Sequence, residues 1–505
     1  MTRLLPPSID CRRCDRGSAV RTVLTVLTSL LLTFLLLTGS VATRPLQSAE
    51  VVSTVSTEGV VPTKVVQAGT TGDPQDFRKI LVSATVNTPE PFQGFGGYCG
   101  WPDVCRLKNG DLFVTFGAGY NHASWPTPLD MPPEEITRWK KGKHAWSLDW
   151  DCPEGGRIMW IRSRDQGKTW TRPKAFPVVP GAYSPGDVIQ LGDGTMLATA
   201  TIQDSWGYWK KMPSTPLEFA RITANRLPSE NVIYRSEDNG ESWQEVGRHS
   251  FFGHVDAVYT LLQRPDGSVI AIFNFSPIPG GPGWPQPADL FWDTRWLTAT
   301  AVSHDQGETW SILSVTGSNE FDSTEATGGY LPDGSIGFMV RQTSHWFRSL
   351  DNGETWSSPG KIFAGGTTVH VKRGSLQVTP EGVVALVYCA DTGGILRRYG
   401  REWTRGNGQV IYSRDNGQTW IKPAEDHGFQ YDPLAYYPDA CVLEDGTIFA
   451  VGNDETYGKE NEFGPRGADV TSMRFRIKSP QEGEGIELLP VGGPAVPRRL
   501  DLNRR

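Results

Sequence analysis

Glu325, Arg373 and Tyr437 stand at one distance from a turn, each nine residues before a turn glycine, at Gly334, Gly382 and Gly446 respectively. The same offset from Gly110, Gly194 and Gly267 gives Trp101, Pro185 and Val258. Seven residues after Gly334 comes Arg341. A carboxyl and a phenol can pass a proton between them, and guanidinium groups take an anion in a bidentate fork. Gathered in one cleft, such side chains form a candidate active site, at a position where an inert scaffold would carry small or apolar residues.

The elements that would position them repeat along the chain. Apolar runs flank a turn ending in glycine six times, at LKNGDLFV, LGDGTMLA, QRPDGSVIAI, LPDGSIGFM, TPEGVVAL and LEDGTIFAV. An Asp-Gly or Asn-Gly pair between strand-like runs is a strong hairpin signal. A second phrase, Ser-x-Asp-x-Gly-x-Thr/Ser-Trp, occurs five times, ending at Trp170, Trp243, Trp310, Trp356 and Trp420. Its Asp can accept amides two residues on, and its Gly supplies a left-handed conformation for a tight reversal.

In the first five units the hairpin precedes the Asp phrase, so each reads as strand, tight turn, strand, variable loop, strand, Asp phrase, strand. The expected fold is therefore all-β, a six-bladed β-propeller of four-stranded antiparallel blades. The sixth unit lacks the Asp phrase. Its third strand is expected in TSMRFRIK near Arg474, and the early run RKILVSATV near Val82 is expected to supply its outer strand and close the ring.

Strand alternation places the hairpins and Asp phrases on one face and the variable loops on the other. The interval from Gly110 to Gly167 is about three times that from Gly334 to Gly353, and the excess falls in these loops. They are rich in aromatic residues: Trp125, Trp139, Trp146 and Trp150 in the first, Trp206, Tyr208 and Trp209 in the second, Trp284, Trp292 and Trp296 in the third. Such side chains either pack the loops together or line a cleft suited to the apolar faces of sugars.

Residues 1–42 join a basic start, an apolar run over 22–38 and small residues at Ser40 and Ala42. They read as a signal peptide, with a signal anchor in the membrane as the competing reading. Either way the folded part is exported, secreted or periplasmic. Cys11 and Cys14 lack the second pair a metal site needs, and the five cysteines beyond the leader, Cys99, Cys105, Cys152, Cys389 and Cys441, are expected to matter little. Residues 43–76 read as a flexible linker, 77–478 as one propeller domain and 479–505 as a tail trailing on the surface. With a net charge of −7 and both signs interspersed, the chain offers no electrostatic case for nucleic acid. Neither a metal nor a cofactor is expected.

The Asp phrases (Asp-box or BNR repeats) and the six-unit count resemble the sialidase (exo-α-neuraminidase) superfamily over residues 77–478. More specific are STEATGGYLPDGSIGFMVRQ and YYPDACVLEDGTIFAV. The resemblance implies that Tyr437 is a nucleophile, Glu325 its base, and Arg341 and Arg405 two arginines of a carboxylate-binding triad. It draws the acid/base Asp from SLDWDCPEGG, where Asp149 and Asp151 both stand and Asp151 is preferred. It also implies a retaining glycoside hydrolase whose partner is a carbohydrate or glycoconjugate.

One departure is plain. Where the family opens its first blade with Arg-Ile-Pro, this chain has Gly100, Trp101 and Pro102. An arginine of the triad is absent, so the expected substrate is an acidic sugar not restricted to sialic acid. Arg373 is a candidate replacement cation and Trp101 a candidate sugar contact. The competing expectations are a carbohydrate-binding or scaffold propeller without activity and a polysaccharide lyase on the same fold.

Overall fold

The computed structural model describes residues 59–82, 98–119, 157–177, 182–203, 229–249, 253–277, 297–316, 325–341, 343–363, 370–391, 395–398, 401–404, 408–424, 427–457 and 467–491. The chain divides into two units, 1–49 and 50–505, and every described residue belongs to the second.

Its described residues are all-β apart from single helical turns at Pro74–Phe77 and Pro480–Glu482. In chain order, the first sheet pairs Tyr98–Arg106, Leu112–Gly119, Arg157–Ser163 and Lys174–Ala175, each antiparallel to the next. The second runs from Ala182–Gln190 to Gln244–His249, the third from Gly253–Gln263 to Ser311–Thr316, and the fourth from Thr327–Tyr330 to Ser357–Lys361. The fifth is built on His370–Val378, Val384–Asp391, Gly408–Ser413 and Trp420–Pro423, and the sixth on Tyr436–Val442, Ile448–Tyr457 and Gly467–Ile477.

All six predicted hairpins are present, and they share one geometry. Each turn glycine has positive φ, between 77° and 99°, which explains the residue type. Its amide donates to the carbonyl three residues back, as Gly110 does to Leu107 at 2.9 Å and Gly446 to Leu443 at 3.0 Å.

The Asp phrases also form turns, with two differences from expectation. Asp165 Oδ1 accepts the Thr169 amide, four residues on rather than two, at 2.8 Å, while Ser163 Oγ accepts the Gly167 amide at 2.8 Å. The left-handed conformation falls on the residue before the glycine as well, at Gln166, Asn239, Gln306, Asn352 and Asn416. Two successive left-handed residues turn the chain inward, so its amides converge on the Ser and Asp side chains. In the first three phrases the tryptophan closes the turn, Trp170 Nε1 donating to the Gly167 carbonyl at 3.1 Å, whereas Trp356 Nε1 donates to Thr300 Oγ1 at 3.1 Å.

The sheets are joined through one register position, seven residues before each hairpin glycine. Asp103 accepts the Val188 amide at 2.8 Å, Asp187 the Leu261 amide at 2.5 Å, Thr260 the Gly328 amide at 3.1 Å and Thr327 the Gly374 amide at 3.0 Å. Ser375 Oγ donates to the Ala440 carbonyl at 3.2 Å, and Asp439 accepts the Val104 amide at 2.7 Å. The series starts and ends on the first sheet. Between the inner strands lies a cavity of about 410 Å³, lined in part by Cys105, Asp187, Thr260, Thr327, Asp439 and Cys441.

Both ends of the chain depart from expectation. Residues 59–76 are no free linker: the Val61 amide donates to the Lys361 carbonyl and the Lys361 amide to the Gly59 carbonyl, Thr63–Val66 runs parallel to Trp420–Pro423, and Thr70–Thr71 pairs with Ile486–Leu489. Residues 479–491 do not trail either, because Ile486–Leu489 pairs with Gly467–Ile477 from Arg474 to Ile477, and Val491 is buried. The strand ending at Val82 does pair with Gly467–Ile477, at Val470, but it shares that edge with the C-terminal strand. Outer strands expose unpaired amides and carbonyls, and the terminal segments supply the partners.

Candidate active site

The position nine residues before the hairpin glycine is conformationally distinct. Trp101, Glu325 and Tyr437 have φ of 51°, 43° and 44°, left-handed values that a bulky residue adopts at a cost. Each is also buried, at 8, 6 and 8% exposure. Register shifts interrupt the inner strands beside this position, between Gly100 and Asp103 and between Tyr436 and Asp439. A bulge re-aims the side chain it carries, and the shared offset puts all three residues at the same end of their strands.

Trp101 meets Tyr437 edge to face, with ring centroids 6.2 Å apart, and lies against Tyr98 at 5.4 Å. With Ala468 these three rings form a small apolar cluster. The Trp101 amide donates to Asn453 Oδ1 at 3.2 Å, and the Ala326 amide, next to Glu325, donates to Asn274 Oδ1 at 3.1 Å. Asn274 and Asn453 are fully buried, and each comes from the sheet preceding the residue it holds. Sequence reasoning did not single them out, although both stand seven residues after a hairpin glycine, the offset that identified Arg341.

Arg341 forms an ion pair with Glu325 through Nη1 and Oε1. The guanidinium predicted to face a substrate carboxylate is therefore engaged with the site's own carboxylate. Two pairs are brought together, Glu325 with Arg341 and Tyr437 with Trp101. Glu325 and Tyr437 belong to sheets separated by the fifth, whose inner strand has a register shift between Lys372 and Gly374, at Arg373. The Arg373 side chain, Asp149, Asp151 and Arg405 lie outside the described residues.

No disulfide joins the four described cysteines, Cys99, Cys105, Cys389 and Cys441. Burial pushes the Cys99, Cys105 and Cys441 thiols well above the usual range, which leaves them protonated and unreactive. Among the described residues no cluster could hold a metal ion, and no helix is long and apolar enough to cross a membrane.

No protein-family model matches the chain. The photosystem II assembly protein Ycf48 of Thermosynechococcus vestitus is 22% identical over 214 residues, 42% of this chain and 47% of that protein. The chain thus spans about half the length of this curated relative. Among solved structures, the α-L-arabinanase of Penicillium chrysogenum is 15% identical with a TM-score of 0.47, covering 79% of this chain and 97% of that one. The intramolecular trans-sialidase of Ruminococcus gnavus is 14% identical with a TM-score of 0.48, over 78% and 96%. The NanB sialidase of Streptococcus pneumoniae is 15% identical with a TM-score of 0.47, over 79% and 70%. Similarity at this level does not reach individual residues, and the site stands on its own geometry.

Proposed function

We propose that this chain is an exported, sialidase-like glycoside hydrolase on a six-bladed propeller, acting with retention on an acidic sugar at a glycan end. The six register-matched hydrogen bonds that lead from the first sheet back to itself support the closed ring. The observation that carries the catalytic reading is the trio of left-handed residues. Strain of about 1 to 3 kcal/mol each, tolerated at one position that presents a carboxyl and a phenol, marks a site whose geometry matters more than its stability.

In this reading Tyr437 attacks the anomeric carbon and its proton passes to Glu325, because a phenol with a pKa of about 10 needs a base. A neutral phenol also approaches an anionic sugar that would repel a carboxylate, and tyrosine nucleophiles occur among glycosidases for such substrates. Asp151 protonates the leaving oxygen and then activates water. Arg341, held against Glu325, orients that carboxylate, while Arg405 and Arg373 bind the acid group of the sugar. Trp101 offers its ring to the sugar face.

Purified protein assayed against a panel of aryl glycosides, with uronides beside α-sialosides, tests the proposal. Hydrolysis with retained anomeric configuration is the expected result, and no turnover across the panel would refute it. The Glu325–Arg341 ion pair favours a second reading, a carbohydrate-binding propeller without activity, since it occupies both groups the chemistry calls on. Glycan binding without turnover would select it.

A further inference from the structure

Arg78 lies outside both repeats, on the stretch between Pro74–Phe77 and Lys79–Val82, and it reaches into the sixth sheet. Its Nε donates to Asp432 Oδ2 at 3.0 Å and its Nη2 contacts Asp454 Oδ2 at 2.9 Å. Both carboxylates are almost fully buried, with side chains 1 and 2% exposed. Asp432 belongs to Phe429–Asp432, which pairs with the fifth sheet, and Asp454 to the second strand of the sixth. One guanidinium therefore joins two sheets.

The two carboxylates bracket the Tyr437 turn. Asp432 precedes it by five residues and caps its approach, Oδ1 accepting the Leu434 amide at 2.9 Å. On the other side Asp454 follows Asn453, which pairs with Tyr436 across the sheet and holds the Trp101 amide. The intervening contact is tight: a Cβ on Gly452 would come within 2.9 Å of the Ala435 Cβ. Asp469, also buried, stands opposite Asp454 on Gly467–Ile477, a third carboxyl group beside the two that Arg78 joins. Burial raises the Asp432 carboxyl above the ordinary range, and the Arg78 charge opposes that rise.

We infer that Arg78 is a positioning residue for the active site: by bridging Asp432 and Asp454 it clamps the left-handed Tyr437 turn against the strand that holds Trp101. The N-terminal arm is thereby part of the site's construction. The inference rests on the proposed role of Tyr437, but the clamp itself is readable without activity. A guanidinium is suited to the task, because its planar fork can serve two carboxylates at once where an ammonium offers a single point of charge.

The test compares full-length Arg78→Met with the same variant carrying Asp454→Asn, using whichever aryl glycoside the wild type hydrolyses. Misplacing a reacting group by about 1 Å can cost on the order of a hundredfold, so Arg78→Met should lose kcat on that scale with KM changed less than about threefold. Its Tm should fall, because it leaves buried charges unpaired. Adding Asp454→Asn should recover part of the lost Tm without recovering kcat, since one of the two buried charges is relieved while Asp432 stays unpaired and the clamp stays open. A folded Arg78→Met with kcat near wild type, or kcat returning together with Tm, would overturn the inference. If Arg78→Met does not fold, the double variant alone decides. If the wild type hydrolyses no glycoside, the proposed function fails separately. The clamp is then judged by a crystal structure of the variant, where a retained left-handed Tyr437 in contact with Trp101 would refute it.

Discussion

Glu325 and Tyr437 share a conformation that neither side chain prefers, and their proposed roles set distinct expectations. Tyr437→Phe removes the nucleophile and should abolish the retained-configuration product, as followed by NMR of the released sugar. Glu325→Gln keeps the shape but not the base, so kcat should fall roughly 10²- to 10⁴-fold. If Glu325→Gln retained full turnover, the proton from Tyr437 would have to go elsewhere. In the proposed reading specificity turns on Gly100, which stands where the sialidase resemblance calls for an arginine of the carboxylate triad. A charge-assisted hydrogen bond contributes about 1.5 to 3 kcal/mol, so the absent arginine should weaken binding of an aryl α-sialoside by roughly tenfold to a hundredfold. In the proposed reading Arg373 is the replacement cation. Uronides should therefore be preferred to sialosides, and Arg373→Ala should erase the preference; sialoside turnover at full efficiency, unaffected by Arg373→Ala, would contradict it.

At the scale of the element, the Asp phrase is a self-contained turn with a titratable centre. Burial, the largest single influence, raises the Asp238 carboxyl, but bonds from the Ser242 hydroxyl and amide, from Ser236 and from the Glu241 amide together outweigh it and lower it to about 2. A carboxyl whose folded pKa lies below its unfolded value of about 3.9 stabilises the fold fully above that value. The contribution is lost as pH falls through 2. Tm should therefore drop steeply between about pH 4 and pH 2, and Asp238→Asn should flatten that drop; an unchanged slope would remove Asp238 from the account. Asp305 makes the same bonds, to the Thr309 amide at 2.8 Å and the Ser303 hydroxyl at 2.8 Å. Asp305→Ala should cost about 1 to 3 kcal/mol in chemical denaturation, the penalty for unsatisfied turn groups. Glycan affinity of the folded variant should not change, because the phrase belongs to the third sheet, and Trp101 and Tyr437 to the first and sixth.

Over the whole molecule, sheets are joined by few specific bonds and many apolar contacts. The bond between Asp439 and the Val104 amide links the sixth sheet to the first, and the terminal segments pair along Gly467–Ile477 of the sixth. Asp439→Ala leaves that amide buried without its acceptor and should destabilise by about 1 to 3 kcal/mol. Hydrogen exchange should locate the damage, with amides of Tyr98–Arg106 and Tyr436–Val442 losing protection before those of the third and fourth sheets. Uniform loss would mean that the ring opens at no preferred place.

The repeat, the hairpins and the special register of Trp101, Glu325 and Tyr437 were legible in the sequence because each depends on residues close along the chain. A turn glycine must have positive φ, and a strand leaving it alternates faces, so counting nine residues back reaches one place in every unit. Tertiary structure decided the rest, for an equally physical reason. Asp103 and Val188, Asp439 and Val104, Asn453 and Trp101, and Arg78 with Asp432 and Asp454 are far apart in sequence; the offset from a turn glycine recurs among the first three pairs, but which residues meet depends on which sheets become neighbours. Arg341 could be placed near the cleft by its offset, but whether it faces a ligand or Glu325 depends on which charge lies nearest once the sheets have packed. The terminal segments read as linker and tail because they are short and irregular. They became strands because the folded sheets left open edges whose amides required partners.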